Sequence, residues 1–176
     1  MIGEFAMFLT VKPGQADNLR KAALEYINSP ARKSSDATQK AAALTGIHDI
    51  RLTVFDNDTR FLFATTFDTE WDPYVDDSLM VMQGVSPWGH FLQYTVEAPE
   101  GIEIPGKISN AAAKEFLNTH RVKAAAYENT LPTLTIRDAQ KAMRVFQAFQ
   151  QVLDHPDAAE ALQHPALKPL LDEAAD

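Results

Sequence analysis

One segment of the chain, from His48 to Asp77, constrains the fold more than any other. Apolar and polar residues alternate from Ile50 to Phe55, which is the period of a half-buried β-strand. A second alternating run extends from Phe61 to Phe67. Between the runs, the sequence Asp56-Asn57-Asp58-Thr59 favours a turn, because Asn and Asp tolerate left-handed backbone. The segment therefore predicts a β-hairpin.

The apolar pattern also predicts the register of this hairpin. A pairing of Phe55 with Arg60 across a four-residue turn places the most apolar residues of both strands on one face of the ribbon. A slip by one residue would mix the two faces, so this register is favoured. The predicted pairs on the apolar face are Val54 with Phe61, Leu52 with Phe63 and Ile50 with Thr65, and those on the mixed face are Arg51 with Ala64 and Thr53 with Leu62.

Periodic segments on both sides of the hairpin predict a small α+β domain. Before the hairpin they indicate a strand from Phe5 to Val11 and helices from Gln15 to Ile27 and from Asp36 to Leu44. After it, Asp72-Pro73 is typical of a helix start, and the run from His90 to Val96 alternates like a strand. Strand, helix, strand, strand, helix, strand is the order of the split βαβ arrangement, a ferredoxin-like four-stranded antiparallel sheet with helices on one face.

The predicted core covers residues 5–97 of a single domain, and residues 98–176 form a helical extension. A helix is predicted from Asn110 to His120, and a short extended segment from Val122 to Tyr127. Thr135 and Asp138 have the spacing of a capping box that opens a long helix. Its apolar stripe comprises Ile136, Ala139, Met143, Phe146, Phe149 and Leu153. Short helices that could pack on a partner are expected from Pro156 to Asp176.

The sheet face opposite the helices is too apolar to remain in water and too polar for a dry core, so it predicts a partly polar cavity. The expected ligand-binding residues are Arg51, Thr53, Thr66, Gln93, Thr95, Phe8 and Phe91. Arg51 has two interpretations, because a charge on such a face needs a partner. It binds an anionic group or polarises an oxygen of a ligand, or it pairs with an acid such as Asp49 or Asp68 in a structural ion pair.

Several of these residues also resemble a known superfamily. The element order, the segment RLTVFDNDTRFLFATTFDTEWDPYVDD and the sequence Lys12-Pro13-Gly14 after the first strand are similar to the dimeric α+β barrel proteins. The resemblance implies a homodimer in which two sheets pack face to face around a ligand cavity. Members include haem-dependent dye-decolorising peroxidases, chlorite dismutases, cofactor-free quinone-forming monooxygenases and muconolactone isomerases. The Gly-x-x-Asp-Gly motif of the haem peroxidases is absent here.

Few residues in the sequence indicate chemistry, and the catalytic residues are unknown. His120 is the first choice for an axial ligand if the protein binds haem. Asp72, Asp76 and Asp77 could hold a cation, but helix capping already explains their position. The sequence contains no nucleophile motif and no phosphate-binding glycine loop. It therefore leaves open a binding protein without chemistry of its own, and an oxidoreductase that is either haem-dependent or cofactor-free.

Composition limits the possible partners. The net charge of −8 argues against nucleic acid and anionic membranes, and the absence of cysteine excludes disulfides and thiolate chemistry. No apolar run is long enough to span a membrane, and Glu4 occupies the place where a signal peptide carries basic residues. The expected protein is cytoplasmic, pairs with a second copy and binds a small molecule.

Overall fold

A computed structural model describes residues 3–30, 35–81, 87–102, 104 and 107–175. The chain divides into two compact units, residues 1–136 and residues 137–176. The first unit contains a four-stranded antiparallel sheet, and the second consists of helices. The structure is therefore of the α+β class, as the sequence predicts.

The strands of the sheet are β1 (Gly3–Thr10), β2 (Ile47–Phe55), β3 (Arg60–Phe67) and β4 (Arg121–Val122), in the order β2-β3-β1-β4. Every neighbouring pair is antiparallel. In the described ranges of the first unit, the helices are α1 (Ala16–Asn28), α2 (Ser35–Thr45), α3 (Trp71–Val81), α4 (Pro87–Leu92) and α5 (Asn110–His120). Helix α6 (Ile136–Leu153) belongs to the second unit except for its first residue, and α7 (Ala159–Leu162), α8 (Lys168–Ala174) and two 3₁₀ turns follow it.

The central hairpin has the predicted register. Phe55 pairs with Arg60, and all the predicted pairs on both faces are present. The turn contains three consecutive residues with positive φ, Asp56, Asn57 and Asp58, at 53°, 50° and 69°. These residue types adopt left-handed backbone at the lowest cost after glycine, which explains how the sequence forms a four-residue turn here.

One face of the sheet is covered by helices and forms the core. The alternate residues of β1 on this face, Phe5, Met7 and Leu9, are at most 1% exposed. On β3, Phe61, Phe63 and Phe67 are buried on the same side. The helices contribute to the same cluster, which contains Leu19 of α1, Tyr74, Val75 and Leu79 of α3, Phe91 and Leu92 of α4, and Phe116 and Leu117 of α5.

The prediction of a fourth strand from His90 to Val96 is wrong. Residues 87–92 form helix α4, and Phe91 and Leu92 are both 1% exposed. A strand with one covered face buries alternate residues, whereas a helical turn can bury two consecutive ones. Thr95 then forms an isolated bridge with Val11 at the end of β1. The fourth strand is the two-residue segment β4, which lies beyond the predicted end of the core at residue 97.

The predicted helices are present with small shifts at their ends. Helix α3 begins at Trp71, so Asp72 lies in its first turn and not at its cap. Helix α5 has the predicted bounds, with the Ser109 side chain accepting the amide of Ala112. Gly46 closes α2 with a φ of 68°, as a helix C-terminus in left-handed backbone requires.

Candidate ligand-binding face

The second face of the sheet, here called the open face, is defined by the strand register. Across the sheet, one row consists of Arg51, Ala64, Ala6 and Val122, and the next consists of Thr53, Leu62 and Phe8. Small residues at the centre, with larger apolar and polar residues around them, form a shallow floor. Such a floor can accommodate a flat ligand or a second protein surface.

Large apolar side chains on the open face are exposed. Phe8 is 39% exposed, Phe55 38% and Val122 45%. The rings of Phe8 and Phe55 meet edge to face at 6.2 Å. Contiguous exposed aromatic surface of this kind is typical of binding surfaces rather than of surface that remains in water.

Arg51 is exposed on this face, and within the described residues it forms no ion pair. The prediction of a structural pair with Asp49 or Asp68 is therefore wrong. Asp49 accepts the hydroxyl of Thr66 at 2.8 Å, and Asp68 binds His48. Because its two nearest candidates in the sequence have other partners, the guanidinium is available to an anionic group from outside the described chain.

Only some of the predicted ligand-binding residues lie on the open face. Phe8 and Thr53 are exposed there, and Thr66 is half-buried beside Asp49. Phe91, Gln93 and Thr95 lie elsewhere, because the strand that was expected to carry them is a helix and a turn. Phe91 is in the core, the Thr95 hydroxyl donates to the Leu92 carbonyl, and Gln93 donates to the carbonyl of His90. Sequence reasoning missed Phe55 and Val122 as members of this face.

A largely buried carboxylate, that of Asp68, lies at one end of the sheet, directly after β3. The side chain of Asp68 is 9% exposed. Its Oδ1 accepts the Nε2–H of His48 at 2.5 Å, and its Oδ2 accepts the amide of Ile136 at 2.8 Å. A register shift between Ile47 and Asp49 makes His48 the extra residue of a β-bulge. Bulges commonly re-aim a side chain beside a functional site.

The acidic residues in the first turns of helix α3 form ion pairs with a lysine of helix α5. The Lys114 ammonium lies 2.9 Å from Asp76 and 3.1 Å from Asp72. The hydrogen bonds to Asp76 and then to Asp72 raise the pKa of Lys114. In the described part of the chain, no cluster of three or more His, Asp or Glu side chains has the arrangement of a metal site. The acids therefore act as partners for α5.

His120 is the last residue of α5 and is half-buried. Its Nδ1–H donates to the Phe116 carbonyl at 2.9 Å, and its ring packs on the Phe116 ring. A backbone acceptor at Nδ1 is how ligating histidines are commonly oriented, and it leaves Nε2 as the nitrogen that could bind an iron. This contact is compatible with an axial ligand, but it is equally compatible with a helix C-terminus.

No family model, curated protein or solved structure matches this chain. Across the described segments, no helix is long and apolar enough to cross a lipid bilayer. The chemistry of the open face must therefore be inferred from its own residues. It offers an apolar floor, an exposed guanidinium and a few hydroxyls, which suit a small organic molecule with an anionic group.

Proposed function

We propose that the protein is a homodimer that binds a small organic anion against the open face of its sheet. The observation that carries the proposal is the exposure of Phe8, Phe55 and Val122 on the same face of the sheet as the exposed Arg51. An apolar ligand body would cover the floor, and the guanidinium of Arg51 would bind the anionic group. A fixed fork of donors suits a carboxylate or a phenolate oxygen.

The strand order favours a paired sheet. Read from β4, the order is 4-1-3-2 with antiparallel neighbours, the arrangement expected of a ferredoxin-like sheet. In the dimeric α+β barrels, which the sequence resembles, two such sheets pack face to face around the ligand. Pairing would remove the exposed aromatic surface from water, and burial of this kind provides most of the free energy of protein association.

Binding can be tested with the fluorescent probe 8-anilinonaphthalene-1-sulfonate, which combines an apolar body with an anionic group. We expect the Arg51→Ala variant to bind the probe about tenfold more weakly, because a charge-assisted contact contributes roughly 1.5–3 kcal/mol before solvent screening. Lys21→Ala is the matched control, because Lys21 is a cation on α1 in an exposed pair with Glu25. Equal affinities of the wild type and Arg51→Ala would refute the assignment of the site.

A native mass spectrum of the protein as purified tests the rest of the proposal. A dimer with additional mass would support a ligand between the sheets, and the added mass would help to identify it. A monomer that retains the arginine-dependent probe binding would refute the dimer but keep the ligand site.

The alternative function is an oxidoreductase, and the hydrogen bond between His48 and Asp68 favours it. A histidine oriented by a largely buried carboxylate has the geometry of a general base, with Nδ1 available to accept a proton. In a cofactor-free reaction, Arg51 would hold a substrate oxygen while His48 removes a proton. Oxygen uptake with a quinol, abolished in His48→Gln and in Arg51→Ala, is the expected result, and the absence of uptake would exclude this reaction for that substrate.

A haem-dependent form of this alternative rests on His120. The chain would offer the Nε2 of His120 as the axial ligand, and haem would supply the redox chemistry. Titration with haem should then give a Soret band that shifts in His120→Ala. An unchanged spectrum in His120→Ala would remove His120 as the ligand.

A further inference from the structure

Helix α6 carries an apolar stripe whose two central members are exposed and whose other four members are half-buried among the described residues. The helix has 18 residues, and none of them is buried. At the centre of the stripe, Met143 is 58% exposed and Phe146 54%. Packing of the apolar face provides most of the stability of a helix in a protein. A stripe that stays this exposed needs a partner surface about 27 Å long, at 1.5 Å of rise per residue.

The stripe is symmetric along the sequence about Phe146. Before Phe146 its members follow at intervals of three, four and three residues, from Ile136 through Ala139 and Met143. After Phe146 the intervals are three and four residues, to Phe149 and then Leu153. An antiparallel copy of the same helix therefore presents the same pattern, which is the self-complementarity that a two-fold interface requires.

The charges around the stripe have a complementary arrangement. The first half of α6 carries three basic residues, Arg137, Lys141 and Arg144, and one acidic residue, Asp138. The segment after the helix contains three acidic residues, Asp154, Asp157 and Glu160, and no lysine or arginine before Lys168. In an antiparallel pair centred on Phe146, Arg137 of each helix lies opposite residue 155 of the other, between Asp154 and Asp157, and Asp138 is the one acidic residue opposite Asp154. A parallel pair would instead bring the basic halves of the two helices together.

We infer that α6 pairs with α6 of a second copy of this chain, antiparallel and crossing at Phe146. Met143 would contact the partner's Phe149, and Ala139 the partner's Leu153. The symmetric pattern and the charge order both favour a second copy over an unrelated partner, because only a second copy carries the same stripe and the opposite charge at the matching end. The inference does not depend on ligand binding at the open face.

A pair of neighbouring substitutions tests the interface. Phe146 and Val145 are exposed to nearly the same extent, 54% and 57%, but lie about 100° apart around the helix. Phe146→Glu should raise the dimer dissociation constant, measured by sedimentation, about 30-fold or more, since a central aromatic residue is a typical hot spot. Val145→Glu should change it less than about threefold, in line with residues outside the hot spot. Circular dichroism verifies that both variants remain folded.

Charge reversal provides a second test that does not perturb the stripe. One variant carries Lys141→Glu and Arg144→Glu, and the other carries Asp154→Lys and Asp157→Lys. Each variant alone should dimerise more weakly than the wild type, and an equimolar mixture should form the heterodimer in preference to either homodimer. A preference of this kind arises only if the opposite charges lie on different copies.

Three results would overturn the inference. They are a monomeric wild-type protein, a dimer that is equally sensitive to Phe146→Glu and Val145→Glu, and a dimer that resists Phe146→Glu but dissociates in Phe8→Glu. In the last case the open face alone would form the dimer. Probe binding that depends on Arg51 is measured separately, so a failure of α6 pairing and a failure of the proposed ligand site can be distinguished.

Discussion

The two faces of the sheet contain similar residue types but have different environments. On the covered face, Phe61 is fully buried, while Phe8, on the adjacent strand and the opposite face, is 39% exposed. Both are phenylalanines in regular antiparallel strands, so local backbone preference does not distinguish them. The difference arises because the helices that pack on the sheet in the described part of the chain bury Phe61 and leave Phe8 partly exposed. The covered face therefore provides stability, and the open face is the part of the sheet that remains available for binding.

The largest expected effect comes from truncating one phenylalanine on each face. Phe61→Ala should lower the free energy of unfolding by about 3–5 kcal/mol, because it leaves a cavity in the core. Phe8→Ala should lower it by less than about 1 kcal/mol in dilute solution, where the open face is free. Urea unfolding measures both values. Similar losses at low protein concentration would show that the open face is also covered within the monomer.

A smaller effect on the free energy of unfolding is expected from Tyr74 on the covered face, and it depends on pH. Tyr74 is 3% exposed and stacks on Phe67 with ring centres 3.9 Å apart. Ser78 Oγ makes no hydrogen bond of normal geometry within the described residues. Its proximity lowers the pKa of Tyr74 by less than burial raises it. Burial raises the pKa of Tyr74 far above its ordinary value of 10.0. The stability that the neutral, buried Tyr74 side chain provides is therefore complete below pH 10 and is lost as the pH rises above that value.

The wild type should lose up to about 1.4 kcal/mol per pH unit above pH 10, because the unfolded state releases a proton that the folded state retains. Tyr74→Phe should remove this loss. Tyr127→Phe is the control, because Tyr127 is 44% exposed. Lys114, whose pKa is also raised, titrates alike in all three proteins and cancels in the comparison. Parallel curves of unfolding free energy against pH for the wild type and Tyr74→Phe would contradict this account.

The smallest effect concerns the end of the sheet, where Asp68 binds His48. Gly46 and Gly14 have nearly the same φ, 68° and 70°. An added Cβ at Gly46 would lie 3.0 Å from the Cβ of Asp68, whereas at Gly14 it would meet nothing within 4 Å. Gly14→Ala should cost about 1 kcal/mol through backbone strain alone. Gly46→Ala should cost roughly 1 kcal/mol more, because overpacking adds to the strain.

Thermal unfolding of the two glycine variants gives this difference directly. A heteronuclear NMR spectrum of Gly46→Ala should also show a shift of the His48 ring signals, since Asp68 must move. Equal destabilisation by the two substitutions, with unchanged His48 signals, would mean that Asp68 adapts freely and that the contact with His48 is loose.

Part of the open face was predictable because strand alternation is local. Phe8, Thr53 and Arg51 were placed correctly by the two-residue period and the hairpin register. The sequence could not show whether Arg51 forms an ion pair. Asp49 and Asp68 are near it in the sequence, but Asp49 binds Thr66 and Asp68 binds His48. The hydrogen bond between His48 and Asp68 joins residues at the beginning of one strand and just after the next. The available signal was their position at the same end of the hairpin, but the bulge that aims His48 has no clear mark in the sequence.

The sequence alone determined the hairpin, its turn, its register and the helices α1, α5 and α6. Each depends on contacts between residues that are close in the chain, or on a period that local burial imposes. Tertiary structure decided the fourth strand. The segment from His90 to Val96 alternates like a strand but forms helix α4 and a turn, because Phe91 and Leu92 both enter the core. Its place beside β1 is taken by Arg121 and Val122, so only Val122 of the predicted extended segment from Val122 to Tyr127 belongs to a strand. Pairing at a sheet edge depends on which distant segment reaches the free backbone groups of β1, and the sequence encodes that only through the packing of the whole domain.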